Sequence, residues 1–264
     1  MPAPDQTGPA VPDRPGPAVP DRPGPAVPDR PGPAVSALSA HVVPDPPGPA
    51  VPDPPDPAVP DLLGLVAFGE LLAFERMAVD ARLAPDLRRR AALSEMAAAE
   101  IANYRRLADR LAALGVLPDD AMAPYVAPLQ AYHDSTEPRD WAEAVTKAYV
   151  GDAITDDFIR EIAAALAEPD RRLVLDVVHD SAYADFAVAE IRAAIAADPK
   201  VAGRLSMWAR RLVGEALSQA GRVAADRGAL TALIAGSDRV DVQGLFRRLT
   251  AAHTTRMAAA GLNN

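Results

Sequence analysis

Proline is distributed so unevenly along this chain that it divides the sequence into two parts. Of the 28 prolines, 21 lie in residues 1–60 and seven in residues 61–264. Proline fixes φ and removes a backbone donor, so it is tolerated poorly inside helices and central strands. Residues 1–60 are therefore unsuited to regular secondary structure, whereas residues 61–264 are long enough to form one domain with its own core.

The N-terminal 60 residues repeat a unit of eight. From Gly8 the sequence runs GPAVPDRP three times and continues in related forms such as GPAVPDPP. A repeat without aromatic residues cannot bury enough apolar surface to offset chain entropy, so we expect a disordered spacer of polyproline II character. Three interpretations stay open: a proline-rich ligand for another protein, a passive tail, and a start site assigned too far upstream.

Composition excludes several classes of protein. The chain has no cysteine, which rules out disulfides, thiolate metal sites and cysteine nucleophiles. No apolar run approaches the ~18–20 residues of a membrane-spanning helix, and the N-terminus lacks the pattern of a signal peptide. We therefore expect a cytoplasmic protein without a membrane partner. The net charge of −9 disfavours DNA as a partner, because phosphate contacts need clustered Lys and Arg.

From Asp61 onward, apolar residues recur at helical spacing in a background rich in Ala, Leu, Glu and Arg. This pattern predicts an all-α domain over residues 61–264. Prolines and glycines mark the joints between helices, among them Pro85, Gly115 and Pro169. The predicted helices are A (about 62–84), B (about 86–114), C (about 139–167), D (about 169–197), E (about 199–228) and F (about 240–260).

The lengths of the joints select a topology. Joints A–B and C–D are only a few residues long, so each pair forms an antiparallel hairpin. The segment between B and C, residues 115–139, reaches ~80 Å when extended, whereas a helix of ~28 residues is ~42 Å long. Two hairpins joined by one long crossover are typical of ferritin-like four-helix bundles. We therefore predict such a bundle over about 62–197, with two additional helices over about 199–260.

Each bundle helix carries one carboxylate near the middle of its apolar stripe. A surface helix normally places its acids opposite that stripe, and an isolated buried carboxylate costs several kcal/mol. Metal ions held between the acids would offset this cost, and carboxylate and imidazole ligands suit iron or manganese. The four candidate metal ligands are Glu70, Glu100, Asp152 and Asp180.

A ferritin-like two-metal site also uses histidine, in a Glu-x-x-His motif on two of the helices. Three residues after Glu100 and Asp180 this chain has Asn103 and Tyr183, so both expected imidazoles are absent. The residues leave three interpretations open: a two-metal oxygen site, a site for one weakly bound metal, and a hydrogen-bonded polar core. In the last, Asn103 and Tyr183 pair with protonated carboxyls.

Residues 61–264 resemble ferritin-like proteins and, more narrowly, the actinobacterial form of the family of tRNA hydroxylase-like proteins that modify isopentenyl-adenosine. The stretches that carry the resemblance are VAFGELLAFERMAVDARLAP, EMAAAEIANY, KAYVGDAITDDFIREIA, DFAVAEIRAAIAADPKVAGRL and MWARRLVGEALSQAGRVAADR. The family implies a six-helix ferritin-like body, non-haem iron and O₂-dependent hydroxylation, with tRNA as substrate.

The resemblance also implies roles for individual residues. Glu70 corresponds to the ligand of helix A, Glu100 to the first carboxylate of helix B, and Asp180 to the carboxylate of helix D. The ligand position of helix C falls on Asp152 or its stripe neighbour Thr155. Asn103 and Tyr183 occupy the histidine positions of the family.

Clustered arginines on helices B, E and F are the candidate contacts to tRNA, and solvated faces that pair with neighbouring acids are the alternative. The sequence thus predicts a hydroxylase-related ferritin-like protein with an altered carboxylate site, in which residual metal- and O₂-dependent oxidoreductase activity is one outcome. The competing prediction is a non-catalytic helical binding or scaffold protein that uses the proline-rich arm as a tether.

Overall fold

The computed structural model describes residues 56–178, 181–226, 228, 231 and 242–263. Their regular structure is helical, which confirms the predicted all-α, ferritin-like fold. The predicted disordered arm covers residues 1–60, of which residues 1–55 lie outside the described residues. The first helix begins at Ala58, inside the predicted arm and a few residues before the predicted start of helix A. The helices are α1 (Ala58–Asp80), α2 (Leu87–Ala113), α3 (Pro118–Ser135), α4 (Trp141–Lys147), α5 (Ala153–Ala163), α6 (Asp170–Val177), α7 (Ser181–Ala197), α8 (Lys200–Asp226) and α9 (Val242–Ala259).

Helices α1 and α2 form the first predicted hairpin. The side chain of Asp86 caps α2 by accepting a hydrogen bond from the backbone N–H of Arg89 at 2.9 Å, which satisfies an amide left without a partner at the helix start. The helix ends at Ala113, and Gly115 shortly after it has a φ of 76°, which only glycine adopts easily. The next amide, of Val116, donates back to the carbonyl of Leu111 at 3.0 Å. This arrangement is a Schellman motif.

The crossover between the two hairpins contains a helix that the sequence analysis missed. Helix α3 packs against α1 and α8, and Gly64 permits a close approach to α1. A Cβ atom on Gly64 would lie 2.3 Å from the carbonyl oxygen of Ala121. The hydroxyl of Tyr125, which is fully buried, donates to the carbonyl of Asp61 at 3.1 Å. The crossover is thus a packed part of the domain rather than an extended strap.

Predicted helices C and D are each divided in two. A π-helical turn, Ala148–Asp152, separates α4 from α5. Helix α6 ends at Val177, and the extended backbone of Val178 follows it before α7 begins at Ser181. Helix α4 packs on α7 and α5 packs on α6, so the predicted antiparallel hairpin is retained. Within the turn, a Cβ atom on Gly151 would lie 2.5 Å from the hydroxyl of Tyr132. The π-turn therefore brings its backbone directly against α3.

Two apolar clusters make up most of the described core. The first joins α1, α2, α3, α5 and α6, and its fully buried members include Leu62, Leu107 and Leu111. The second joins α4, α7, α8 and α9 and includes Ile191 and Leu205. Among the described residues, we find no helix whose length and apolar character would let it cross a membrane. The candidate site lies between helices of the first hairpin and those of the second.

Candidate functional site

The best-defined part of the site is a contact between α1 and α2. Glu70 is buried, with 6% of its surface exposed. The side-chain amide of Asn103 donates to Oε2 of Glu70 at 3.2 Å and to the backbone carbonyl of Val177 at 3.2 Å. Both amide hydrogens of Asn103 are therefore used, one on a carboxylate and one at the end of α6. Asparagine thus connects three helices at the position where the sequence analysis expected a metal-binding histidine.

Glu100 and Tyr183 are also buried, with 3% and 8% of their surfaces exposed. Burial raises the pKa of the Tyr183 phenol well above its ordinary value, and the nearby acids Asp152, Glu100 and Asp80 raise it further. The phenol therefore keeps its proton at any physiological pH. The acids that raise this pKa include two of the predicted carboxylates, Asp152 and Glu100.

The predicted stripe of helix C is interrupted just after the π-turn and resumes at Ile159, which is buried. Asp152 is half-buried, but Thr155 is exposed, and its hydroxyl donates to the carbonyl of Gly151 at 3.1 Å. Asp156 is the buried acid of the next turn, with 9% of its surface exposed. A π-turn accommodates an extra residue and so rotates everything after it by roughly 100° relative to a continuous α-helix. Exposed Thr155 is therefore poorly placed to be the helix C ligand, whereas Asp152 is half-buried and helps to raise the pKa of Tyr183.

The fourth predicted ligand, Asp180, lies outside the described residues. Within the described ranges, no group of three or more carboxylates and imidazoles is placed to hold a metal ion. The positions around Glu70 and Glu100 also do not fit the two-metal site that the sequence resemblance implies. Asn103 points N–H groups at Glu70, and a metal ligand would have to present a lone pair there. Tyr183 contributes a phenol whose raised pKa disfavours the phenolate that would bind a metal.

A second polar cluster, which the sequence analysis did not identify, lies where α1, α3 and α4 meet. We call it the Lys147 cluster, and it comprises Arg76, Asp80, Tyr132, His133 and Lys147. Lys147 is buried, with 5% of its surface exposed, and its ammonium lies 5.6 Å from the centre of the Tyr132 ring. The only sequence signal was that lysine occurs just twice in the chain, at Lys147 and Lys200.

Burial dominates the ionisation of the Lys147 cluster. It lowers the pKa of Lys147 to about 8, with Asp80 opposing the shift and Arg76 adding to it. It lowers the pKa of His133 to about 3, and the positive charges of Lys147 and Arg76 act in the same direction. Burial also raises the pKa of Asp80. His133 is therefore neutral in the folded protein and belongs to this cluster, beside α1 and α4.

Several of the arginines considered for tRNA contacts pair with acids of the same chain. Arg110 binds Asp170 through two hydrogen bonds of 2.6 and 3.0 Å. The Nε of Arg89 donates to Oε2 of buried Glu190 at 2.5 Å. The same oxygen accepts the indole N–H of Trp141 at 2.9 Å. Arg248 binds Glu161 in the same two-bond manner as the first pair. These contacts favour the alternative in which the arginines stabilise helix packing.

Comparison with known proteins agrees with the observed architecture. No curated protein matches the sequence. A family model described as a ferritin-like domain of actinomycetes matches residues 55–237. This range includes both hairpins, the crossover helix and Glu70, Asn103 and Glu100. Because the match covers most of the chain, the protein belongs to the ferritin-like domain family of actinomycetes.

Proposed function

We propose that this ferritin-like chain has replaced the metal pair of di-iron relatives with a hydrogen-bonded polar core, and that it acts in the cytoplasm as a non-catalytic helical binding or scaffold protein. The observation that carries the proposal is the donation from Asn103 to both Glu70 and the Val177 carbonyl. A carboxylate that accepts a hydrogen bond from a fixed amide has one of its ligand positions filled. The proline-rich arm then serves as a tether for the folded body.

Energetics support this arrangement. Buried carboxylates persist only when they are paired, hydrogen-bonded or protonated. The amide of Asn103 satisfies Glu70 in part, and the protonated phenol of Tyr183 lies beside Glu100 and Asp152. A core of this kind is stabilised without an ion. It holds α1, α2 and α6 in one arrangement, which is what a binding scaffold requires.

A second candidate function is favoured by the burial of Glu70 and Glu100, one on each helix of the first hairpin. In this alternative the chain keeps a weak site for iron or manganese and residual O₂-dependent hydroxylase activity, with tRNA as substrate. Glu70, Glu100, Asp152 and Asp180 would be the ligands. Its relation to tRNA hydroxylases rests on sequence resemblance, and no catalytic step follows from the described residues.

Metal analysis separates the two candidates. We would load the purified full chain anaerobically with Fe(II) or Mn(II), remove excess ion, and measure bound metal, O₂ consumption and the melting temperature. The variants are Glu100→Gln and, as a control on the exposed face of α2, Glu95→Gln. The proposal expects no stoichiometric metal and no metal-dependent rise in melting temperature. It also expects the stability of Glu100→Gln to equal or exceed that of the wild type, since buried charge is removed.

A different set of results would favour the metal-dependent candidate. About two metal ions per chain, bound together with O₂ uptake, would contradict the non-catalytic proposal if Glu100→Gln abolishes both and Glu95→Gln abolishes neither. In that case the metal-loaded form of Glu100→Gln would also melt at a lower temperature than the loaded wild type. A tRNA substrate would then be tested by mass analysis of tRNA nucleosides after incubation with the loaded protein.

A further inference from the structure

Lys147 is the most unusual buried group outside the carboxylate core. Only 5% of its surface is exposed, yet no hydrogen bond or ion pair within 4.0 Å joins its amine to a described residue. Its Nζ lies over the aromatic face of Tyr132, 5.6 Å from the ring centre. A lysine in a helical protein normally extends its amine into water. An amine held inside without a direct partner is available for chemistry.

The charges around this amine are mixed, with an excess of acids. Asp80 on α1, Glu137 after α3 and Asp152 in the π-turn act on it from three elements, and Arg76 on α1 is the opposing cation. His133 on α3 is neutral because burial and the neighbouring cations lower its pKa. The surroundings therefore favour one positive charge at the Lys147 nitrogen, but a dry interior makes the bare ammonium costly.

We propose that Lys147 is a nucleophilic amine that forms a Schiff base with a small, neutral aldehyde in the Lys147 cluster. The neutral amine adds to the carbonyl carbon and gives a carbinolamine. The carbon–oxygen bond then breaks, the hydroxyl leaves as water with one added proton, and a protonated imine remains. Overall, amine, aldehyde and one proton give an iminium ion and one water. No oxidant or reductant takes part.

The electrostatics of the cluster select this chemistry over two alternatives. An iminium ion keeps the positive charge that Asp80 and Asp152 stabilise. Reaction with CO₂ would convert the amine to an anionic carbamate, which the same acids would repel. A 2-oxo acid would bring in a carboxylate against an excess of negative charge. Asp80 is also suited to supply the proton, because burial raises its pKa. The side chain of Arg76, in the same cluster, is partly exposed.

The fraction of Lys147 that is neutral near physiological pH supports its proposed role as a nucleophile. With a pKa of about 8, roughly one in four Lys147 amines is neutral at pH 7.5, compared with roughly one in 800 for an ordinary lysine with a pKa near 10.4. The neutral fraction of Lys147 is thus about 200-fold larger than that of an ordinary lysine, before the difference in solvent access is considered. Lys200 at the exposed start of α8 is the only other lysine, so the chain contains its own reference.

The test measures reductive alkylation of the native full-length chain. Propionaldehyde and cyanoborohydride are added between pH 6 and 9, and peptide mass spectrometry follows the reduced adduct at Lys147 and at Lys200. At pH 7.5 we expect Lys147 to be modified about tenfold faster or more, after burial has removed part of the ~200-fold advantage. Its rate should level off above about pH 8. Asp80→Asn should lower the adduct yield of Lys147 without changing that of Lys200.

Two results would overturn the assignment. One is modification of Lys147 only in urea, which would show that the amine is sealed inside the native fold. The other is equal modification of both lysines at every pH. Because the wild-type chain is read at two positions, no variant has to fold for the test to be decisive. The inference shares Asp152 with the polar core proposed above, but adduct formation at Lys147 is measured separately from metal content, so failure of one does not imply failure of the other.

Discussion

The hydrogen bond between Asn103 and Glu70 offers the sharpest energetic test of the polar core. Asn103→Ala removes the donor to Oε2 of Glu70 and the donor to the Val177 carbonyl. A hydrogen bond to a charged group contributes ~1.5–3 kcal/mol and one to a neutral group ~0.5–1.5 kcal/mol. We therefore expect Asn103→Ala to lower the free energy of unfolding by about 2–4 kcal/mol.

A double-mutant cycle isolates the part of this free energy that comes from the hydrogen bond between Asn103 and the Glu70 carboxylate. In the Glu70→Gln background the first hydrogen bond becomes a neutral one, so Asn103→Ala should cost about 1 kcal/mol less than in the wild type. Urea unfolding followed by circular dichroism at pH 7.5 gives the four free energies. The denaturant slope should stay constant, so that changes in midpoint report stability alone. Asn263→Ala is the control, since this exposed residue makes its hydrogen bonds through backbone atoms.

The cycle can fail in two ways. If Asn103→Ala costs less than about 0.5 kcal/mol, the amide does not stabilise the core. If it costs the same amount with glutamate and with glutamine at position 70, the two side chains are not coupled and the carboxylate is satisfied by other groups. Either outcome would refute the argument that Asn103 replaces a metal as the partner of Glu70.

Three further predictions concern packing, pH and ion pairing. Gly64→Ala should destabilise the fold by about 2 kcal/mol or more, because its Cβ would meet the Ala121 carbonyl, whereas Gly69→Ala on the same helix meets nothing and should gain ~0.5–1 kcal/mol; thermal melts compare the two. The depressed pKa of His133, about 3, means that the unfolded chain binds the extra proton below about pH 6.5, so stability falls as pH is lowered toward 3. At pH 5 this loss is about 2 kcal/mol, and urea titrations of His133→Gln should show a shallower pH dependence by that amount. Glu190→Ala breaks a buried pair and should cost about 3 kcal/mol or more, while Asp176→Ala breaks the exposed pair with Arg106 and should cost less than about 1 kcal/mol; similar losses from both variants in chemical denaturation would contradict this ranking.

Features encoded within one unbroken helix could be predicted from the sequence. The stripes of α1 and α2 placed Glu70 and Glu100 inside, and both are buried. Joint lengths gave both hairpins, because a helix followed at once by a short joint must turn back on itself. Asn103 could be assigned to the site from its spacing to Glu100, since residues three apart share a face.

Features that depend on contacts between distant segments could not be predicted in the same way. Helix α3 contains Pro124 and Pro128, and a local pattern with interior prolines argues against a helix. The side chains of the Lys147 cluster come from three elements, so no single stripe contains them. Nothing in the periodicity of the segment around Asp152 marked the π-turn, because its extra residue is stabilised by packing against Tyr132.

The π-turn has a consequence for tracing the history of this chain. The residues before Ala148 and after Asp152 follow two helical registers that differ by one position. An alignment without a gap, made against a homologue whose helix is not interrupted, can therefore place either Asp152 or Ile159 opposite its equivalent residue, but never both. A single-residue deletion within the turn would remove the residue that the π-turn accommodates and restore a continuous α-helix, with Asp156 still inside and Thr155 still outside. Gain or loss of one codon is thus sufficient to open or close the π-turn without exchanging the side chains that follow it.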